Sequence, residues 1–385
     1  MSDSAASTPK RSYLYFANLD GVRAIAAFMV VCSHIQLHKE NSGIYTSQFI
    51  DSRNFGKIGV TIFFTLSGFL ISYLLLEEKT KFGFIARKNF YIRRILRIWP
   101  LYFLLIVIGF FIYPAQGSVT ALLLSILLMP NVAFCLKLLP NIFDPIWSIG
   151  VEEQFYIFHP HIFRFKKMQH ILYMLTAVLL ALIILNLVVS HLQYTSSFML
   201  ALDQFLYFTR FDDMMIGSVV SLLYFNTKNH VFAFQFQRAF NLLFNKYVHT
   251  GLILLLLGFI FLFVRKEIGH GDIVISSLVS LIMVRLCEPS SNTIILGNKV
   301  MGYCGKISYG IYLLHKYPLF LMLYLIKTYF SNQSAFFQNT LVYLGTITLV
   351  ILLATISYYG YERYFLRLKT RFQKITATKS AVNQL

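Results

Sequence analysis

Residues 147–165 read WSIGVEEQFYIFHPHIFRF. The stretch is aromatic and apolar enough to enter a bilayer, yet it carries Glu152, Glu153 and His159. Whether it crosses decides the side of the membrane on which everything after it lies. The surrounding chain can arbitrate, because 57% of its 385 residues are hydrophobic, 17% aromatic and only 13% charged. An ordinary soluble domain carries about a quarter charged residues. A soluble enzyme, a disulfide scaffold and a disordered chain are therefore excluded.

Runs of about 18 to 22 mostly apolar residues mark membrane-crossing helices. Such runs fall near 17–37, 57–76, 98–114, 118–137, 168–190, 202–225, 249–265, 271–288, 307–327 and 336–359. The positive-inside rule then weighs the ambiguous stretch. If it does not cross, ten spans leave twenty-four basic residues on the cytoplasmic side and six outside (Lys39, Arg53, Lys57, Arg265, Lys266 and Lys327). If it crosses as an additional span, fifteen of those twenty-four move outside and the asymmetry disappears. The expected architecture is an all-α integral membrane protein with about ten transmembrane helices, one re-entrant or interfacial helical segment and both termini cytoplasmic.

The parts are a cytoplasmic N-terminal tail (1–16), a membrane domain (17–360) and a basic cytoplasmic C-terminal tail (361–385). No internal repeat, second soluble domain or cleavable signal peptide is visible. The net charge of +18 would suggest a nucleic-acid partner in a soluble protein. Here it follows from topology, so the bilayer is the expected partner and nucleic acid is not. Cys32, Cys135, Cys287 and Cys304 have neither metal-ligand spacing nor obvious pairing and read as packing residues.

Ionisable residues inside spans are costly and mark functional candidates. Arg23 and His34 share the first span, eleven residues apart. That spacing returns them to one helix face with a rise of roughly 16 Å. Arg23 could instead snorkel inward while His34 sits at the interface. Arg93, Arg94 and Arg97 share a face at the cytoplasmic entry to the third span. Converging guanidinium groups suit the phosphates of a cytosolic ligand or the headgroups of lipid. Glu152 and Glu153 could give a non-crossing segment its polar face, or pair with these arginines. Trp147 and Trp99 could be interfacial anchors. Ser308, Tyr312 and His315 form one polar stripe. Arg210 and Asp213 stand at i,i+3 beside Asp212 and read first as a structural ion pair.

These motifs, in this order, resemble the acyltransferase 3 family of integral-membrane acyl-CoA O-acyltransferases. LDGVRAIAAFMVVCSH is similar to the first-span arginine–histidine signature, and IGVTIFFTLSGFLISYLL to the second-span motif around Ser67, Gly68 and Phe69. RRILRIWPLYF resembles the basic block before Pro100, and WSIGVEEQFYIFHP the block holding Trp147, Ser148, Glu152 and Glu153. TRFDDMMIG and SYGIYLLH resemble the later Arg-x-Asp and Ser-Tyr…His blocks. One departure is Thr61, where many members carry an acidic residue, so no role of that carboxylate carries over.

The resemblance implies that cytosolic acyl-CoA, most often acetyl-CoA, donates its acyl group to a hydroxyl of an extracytoplasmic carbohydrate or glycolipid. The membrane would be a bacterial inner or plasma membrane. Arg94 and Arg97, with Arg93 in support, would hold the CoA phosphates. His34 would be the general base or a covalent acyl carrier, with Arg23 near the developing oxyanion. Glu152 would orient a histidine or pair with an arginine. Ser67, Trp147, Ser148, Glu153, Arg210, Asp212, Ser308, Tyr312 and His315 would support or bind substrate. No metal is needed. Many relatives add an extracytoplasmic hydrolase-like domain after the last span. This sequence reaches only about 25 residues past it, so transfer is expected to finish in the membrane domain or through a separate partner. On physics alone, a multi-span transporter or flippase of a polar or anionic substrate is the rival, although no repeat or pair of Gly/Pro-broken spans points to it.

Overall fold

A chain in lipid must satisfy every backbone N–H and C=O internally, which leaves helices as the economical solution for these apolar runs. The computed structural model describes residues 16–44, 52–112, 119–191, 197–233, 236–265, 269–288 and 296–372, and among these no strand occurs. In chain order the helices begin with α1 (Ala17–Asn41), α2 (Ser52–Phe82), α3 (Arg87–Ile112), α4 (Val119–Ile126) and α5 (Pro130–Cys135). Next come α6 (Ile146–Ile162), α7 (Met168–His191), α8 (Ser197–Thr209), α9 (Phe211–Asn229), α10 (Gln237–Asn241) and α11 (Lys246–Arg265). The series closes with α12 (Gly271–Leu286), α13 (Lys299–Leu314), α14 (Lys316–Tyr329), α15 (Ala335–Ser357) and α16 (Arg363–Thr370). A π-turn at Tyr358–Glu362 joins the last two.

Among the described residues, six helical stretches are long and apolar enough to cross a membrane: α1, α2, α3, α7, α11 and the continuous run Ala335–Thr370. The pair α13 and α14, bent by 61° at its junction, counts as a seventh when taken as one broken span. The remaining expected spans take other forms. Region 202–225 breaks at Arg210, whose φ of 45° lies in the left-handed region and separates α8 from α9. Region 271–288 holds α12, only 16 residues long. Region 118–137 splits into α4 and α5, with Leu128 (φ 60°) and Lys137 (φ 55°) turning the chain.

Residues 147–165 fall largely in α6, which is 17 residues long and is not among the six crossing-length stretches. Helix α6 runs antiparallel to α3 along nearly its whole length. Just before α6, the Phe143 ring stacks on Phe110 at 5.5 Å. Midway, Trp99 Nε1 donates to Glu153 Oε2 at 2.8 Å. Near the start of α3, the Tyr91 hydroxyl donates to the Ile157 carbonyl at 2.9 Å. Beyond the end of α6, Lys79 Nζ on α2 donates to the Phe163 carbonyl at 3.0 Å. Also on α3, the Tyr102 hydroxyl donates to the Ser125 carbonyl of α4 at 2.8 Å.

Helices α2 and α9 approach backbone to backbone. A Cβ on Gly68 would sit 1.9 Å from the Met214 carbonyl oxygen, and one on Gly217 would sit 2.1 Å from that of Thr65. Small residues at helix contacts permit such approach where lipid offers little drive for side-chain burial. Gly68→Val should therefore cost at least about 1–3 kcal/mol through overpacking, read as a lower melting temperature and yield in detergent. Gly251→Ala, with nothing within 4 Å of the added carbon, should leave both unchanged.

Candidate active site

His315 lies at the junction of α13 and α14 and is fully buried. Its Nδ1 is 2.7 Å from the Tyr312 carbonyl oxygen. A carbonyl can only accept, so that nitrogen carries the proton. The other nitrogen of a neutral imidazole is then an acceptor. His315 Nε2 is 2.7 Å from Nδ1 of His34, which must therefore donate. The two rings meet edge to edge, with centroids 4.8 Å apart and planes 14° from parallel. In the neutral pair, the remaining lone pair falls on Nε2 of His34. The hydrogen-bond chain thus selects the tautomer that a general base or nucleophile requires.

Two ties hold this pair to α6. Lys316, with no exposed surface, donates to Asp144 Oδ2 at 2.7 Å and to the Asn141 carbonyl at 2.5 Å. The ion pair fixes the turn before α6 against the α13/α14 bend. Four residues on from Asp144, the Ser148 hydroxyl lies 2.7 Å from that of Tyr312. Ser148 and Tyr312 therefore support the helix end from which His315 hangs.

A second cluster gathers towards the other end of α1. Arg23 pairs with Asp20 at 2.7 Å and lies in the field of Arg97 and Glu152. Glu152 Oε1 accepts from the Ser67 hydroxyl at 2.8 Å, and the Tyr156 hydroxyl is 3.2 Å from its other oxygen. Arg94 lies over the rings of Phe90 and Tyr156, and its Nε is buried without a hydrogen-bond partner. Arg97 acts on Glu152 and Glu362. Arg93 is already engaged: Nη2 pairs with Glu78 at 3.1 Å and Nη1 donates to the Phe372 carbonyl at 2.9 Å.

The structure thus brings His34 together with His315, and Arg23 and Glu152 together with Arg94 and Arg97. Neither Arg23 nor Glu152 has a hydrogen bond to His34. Arg210 lies apart, pairing with Asp213 (2.9 Å) and Asp272 (3.2 Å) and donating to the hydroxyl of Thr61. It fastens the α8/α9 break to α2 and α12, with buried Asp212 beside it. Trp147 sits among Phe64, Phe134 and Phe208. The Ser308 hydroxyl returns to the Gly305 carbonyl of its own helix at 2.9 Å. Sequence reasoning passed over Asp20, Tyr156, Asp144 and Asp272. Asp20 and Tyr156 were signalled by their spacing of three from Arg23 and four from Glu152, while Asp272 has no local cue.

The sequence pattern of the family described as "Acyltransferase domain" matches residues 16–359. A Staphylococcus aureus (strain COL) protein provisionally described as an O-acetyltransferase is 27% identical over 93% of this chain and 58% of its own length. The peptidoglycan O-acetyltransferase OatA of Listeria monocytogenes is 26% identical over 81% of this chain and 50% of its own. The chain thus spans between half and three-fifths of the length of these curated relatives. No solved structure matches.

Removing one member of a buried ion pair strands the other charge, whereas replacing both with apolar groups is far milder. Lys316→Met should lower stability by about 3 kcal/mol, seen as a fall in melting temperature. Lys316→Met with Asp144→Leu should recover most of that loss.

Proposed function

This chain belongs to the Acyltransferase domain family, and on that premise we propose that it transfers an acyl group, acetyl foremost, from cytosolic acyl-CoA to a hydroxyl of an extracytoplasmic carbohydrate or glycolipid. The observation that carries the reading is the hydrogen-bond chain from the Tyr312 carbonyl through His315 to His34. O-acetyltransferase relatives, one named for peptidoglycan, support the reaction type and the acceptor class.

The proposed topology has ten crossings with both termini cytoplasmic. Helix α6 makes the fourth, the broken pairs α8/α9 and α13/α14 make one each, and α4 with α5 forms a dip from the outer side. Arg94 and Arg97 then face the cytosol and hold the CoA phosphates. His34 lies eleven residues outward from Arg23 along α1, a rise of roughly 16 Å, which the extended pantetheine arm bridges.

His34 Nε2 removes the proton from the acceptor hydroxyl as the oxygen attacks the thioester carbonyl. The new C–O bond forms, the C–S bond breaks, and His34 returns the proton to the departing sulfur. His315 accepts the Nδ1–H of His34 throughout and keeps the ring aimed. It is a positioning residue.

With purified protein and labelled acetyl-CoA, His34→Ala should abolish acetyl transfer while the protein stays membrane-inserted. Wild-type turnover in that variant would remove the mechanism. His315→Ala should lower kcat by about 10²–10³-fold with little change in the KM for acetyl-CoA. Arg94→Ala combined with Arg97→Ala should raise that KM, and an unchanged value would remove the donor assignment.

A further inference from the structure

We infer that Lys369, on the helix that follows the last span, is a further phosphate-binding cation of the acyl-CoA site. The inference rests on the donor reading above and adds a residue that lies beyond the family match, which ends at residue 359.

The helix that carries Lys369 is fastened to α3 at both ends. The Tyr361 hydroxyl donates to the Pro100 carbonyl at 3.3 Å. Eleven residues on, the Phe372 carbonyl accepts from Arg93 Nη1 at 2.9 Å, while Glu78 holds the other side of the guanidinium. Arg93 therefore works as a strut that seats α16 against the arginine helix. Phe372, whose carbonyl Arg93 holds, donates its own N–H to the Lys369 carbonyl at 3.1 Å, which sets Lys369 one turn from the Arg93 guanidinium. The charges acting on Lys369 most strongly are Arg97, Arg94, Arg93 and Arg23, all of its own sign.

The ordinary explanation for a lysine in a last helical turn is that it caps carbonyls. Here backbone N–H groups already take that part: Arg371 donates to the Leu368 carbonyl and Phe372 to that of Lys369 itself, both at 3.1 Å. Beyond that backbone bond, the Lys369 side chain makes no hydrogen bond or ion pair among the described residues. Its side chain is partly exposed and so within reach of a ligand. Arg94 keeps an unsatisfied buried Nε in the same cluster. Like charges gathered this way raise the free energy of the empty site and lower that of a bound polyanion. A CoA nucleotide carries a pyrophosphate and a further ribose phosphate, which suits several cations better than a single phosphodiester headgroup does.

The test measures binding of CoA, 3′,5′-ADP and pantetheine to the full-length protein in phosphatidylcholine nanodiscs, with melting temperatures checked. Lys369→Gln should weaken CoA and 3′,5′-ADP by about tenfold, the loss of one charge-assisted contact, with a shallower salt dependence. Pantetheine, which has no phosphate, should be unaffected, and Lys369→Arg should bind CoA within threefold of wild type. CoA binding by Lys369→Gln equal to that of wild type would overturn the inference and leave the donor reading intact. Wild-type protein that binds no CoA would overturn the donor reading itself. A Lys369 effect that appears only when phosphatidylglycerol is present would assign the residue to lipid and also overturn the inference.

Discussion

The hydrogen bond from His315 Nδ1 to the Tyr312 carbonyl is the constraint on which the proposed chemistry depends. It is made at the 61° bend between α13 and α14, where the last turn of α13 has a carbonyl within reach of the ring three residues on. Fixing that proton fixes both neutral rings, because each nitrogen can only donate or accept once its neighbour is assigned. Reversing the His315 tautomer would set a lone pair against the carbonyl oxygen and leave His34 Nε2 protonated. The Lys316–Asp144 pair and the Ser148–Tyr312 contact hold the bend, and through it the tautomer.

The polar groups divide into two sets along α1. Arg23, Arg94, Arg97, Glu152, Ser67 and Tyr156 form the one towards the start of α1, and His34 with His315 forms the one towards its end. In the proposed reaction the acyl-CoA spans the two, with its charge at one end and its thioester at the other. In the proposed topology, such a division would let one helix register a donor from the cytosol and an acceptor from the opposite side. The third polar set, around Arg210, belongs to packing: it neutralises charge between α9, α12 and α2 where the chain breaks.

Much of this was legible in the sequence. Apolar run length placed the long helices, and helical spacing put Tyr312 near His315 and Arg94 near Arg97. Less legible were the contacts between helices. Glu152 accepts from Ser67 on α2 and Glu153 from Trp99 on α3, and no local pattern reveals those partners, whereas Tyr156 stands one turn from Glu152 on the same helix. Arg23 and His34 share α1, where Asp20 pairs with Arg23 and His315 bonds to His34. Lys369 stood in a stretch expected to be a basic tail, and only the continuation of α15 through a π-turn carries it to α3. Contacts between residues distant in sequence, such as Ser67–Glu152 and His34–His315, lie outside what local spacing can show.

Nitrogen-15 NMR of the histidine-labelled protein in nanodiscs tests the tautomer assignment most directly, with His34→Gln and His315→Gln identifying the two signals. The account predicts that both neutral rings carry their proton on Nδ1, with an unprotonated Nε2 on each and coupling across the His34–His315 hydrogen bond. A proton on Nε2 of either neutral ring would contradict it.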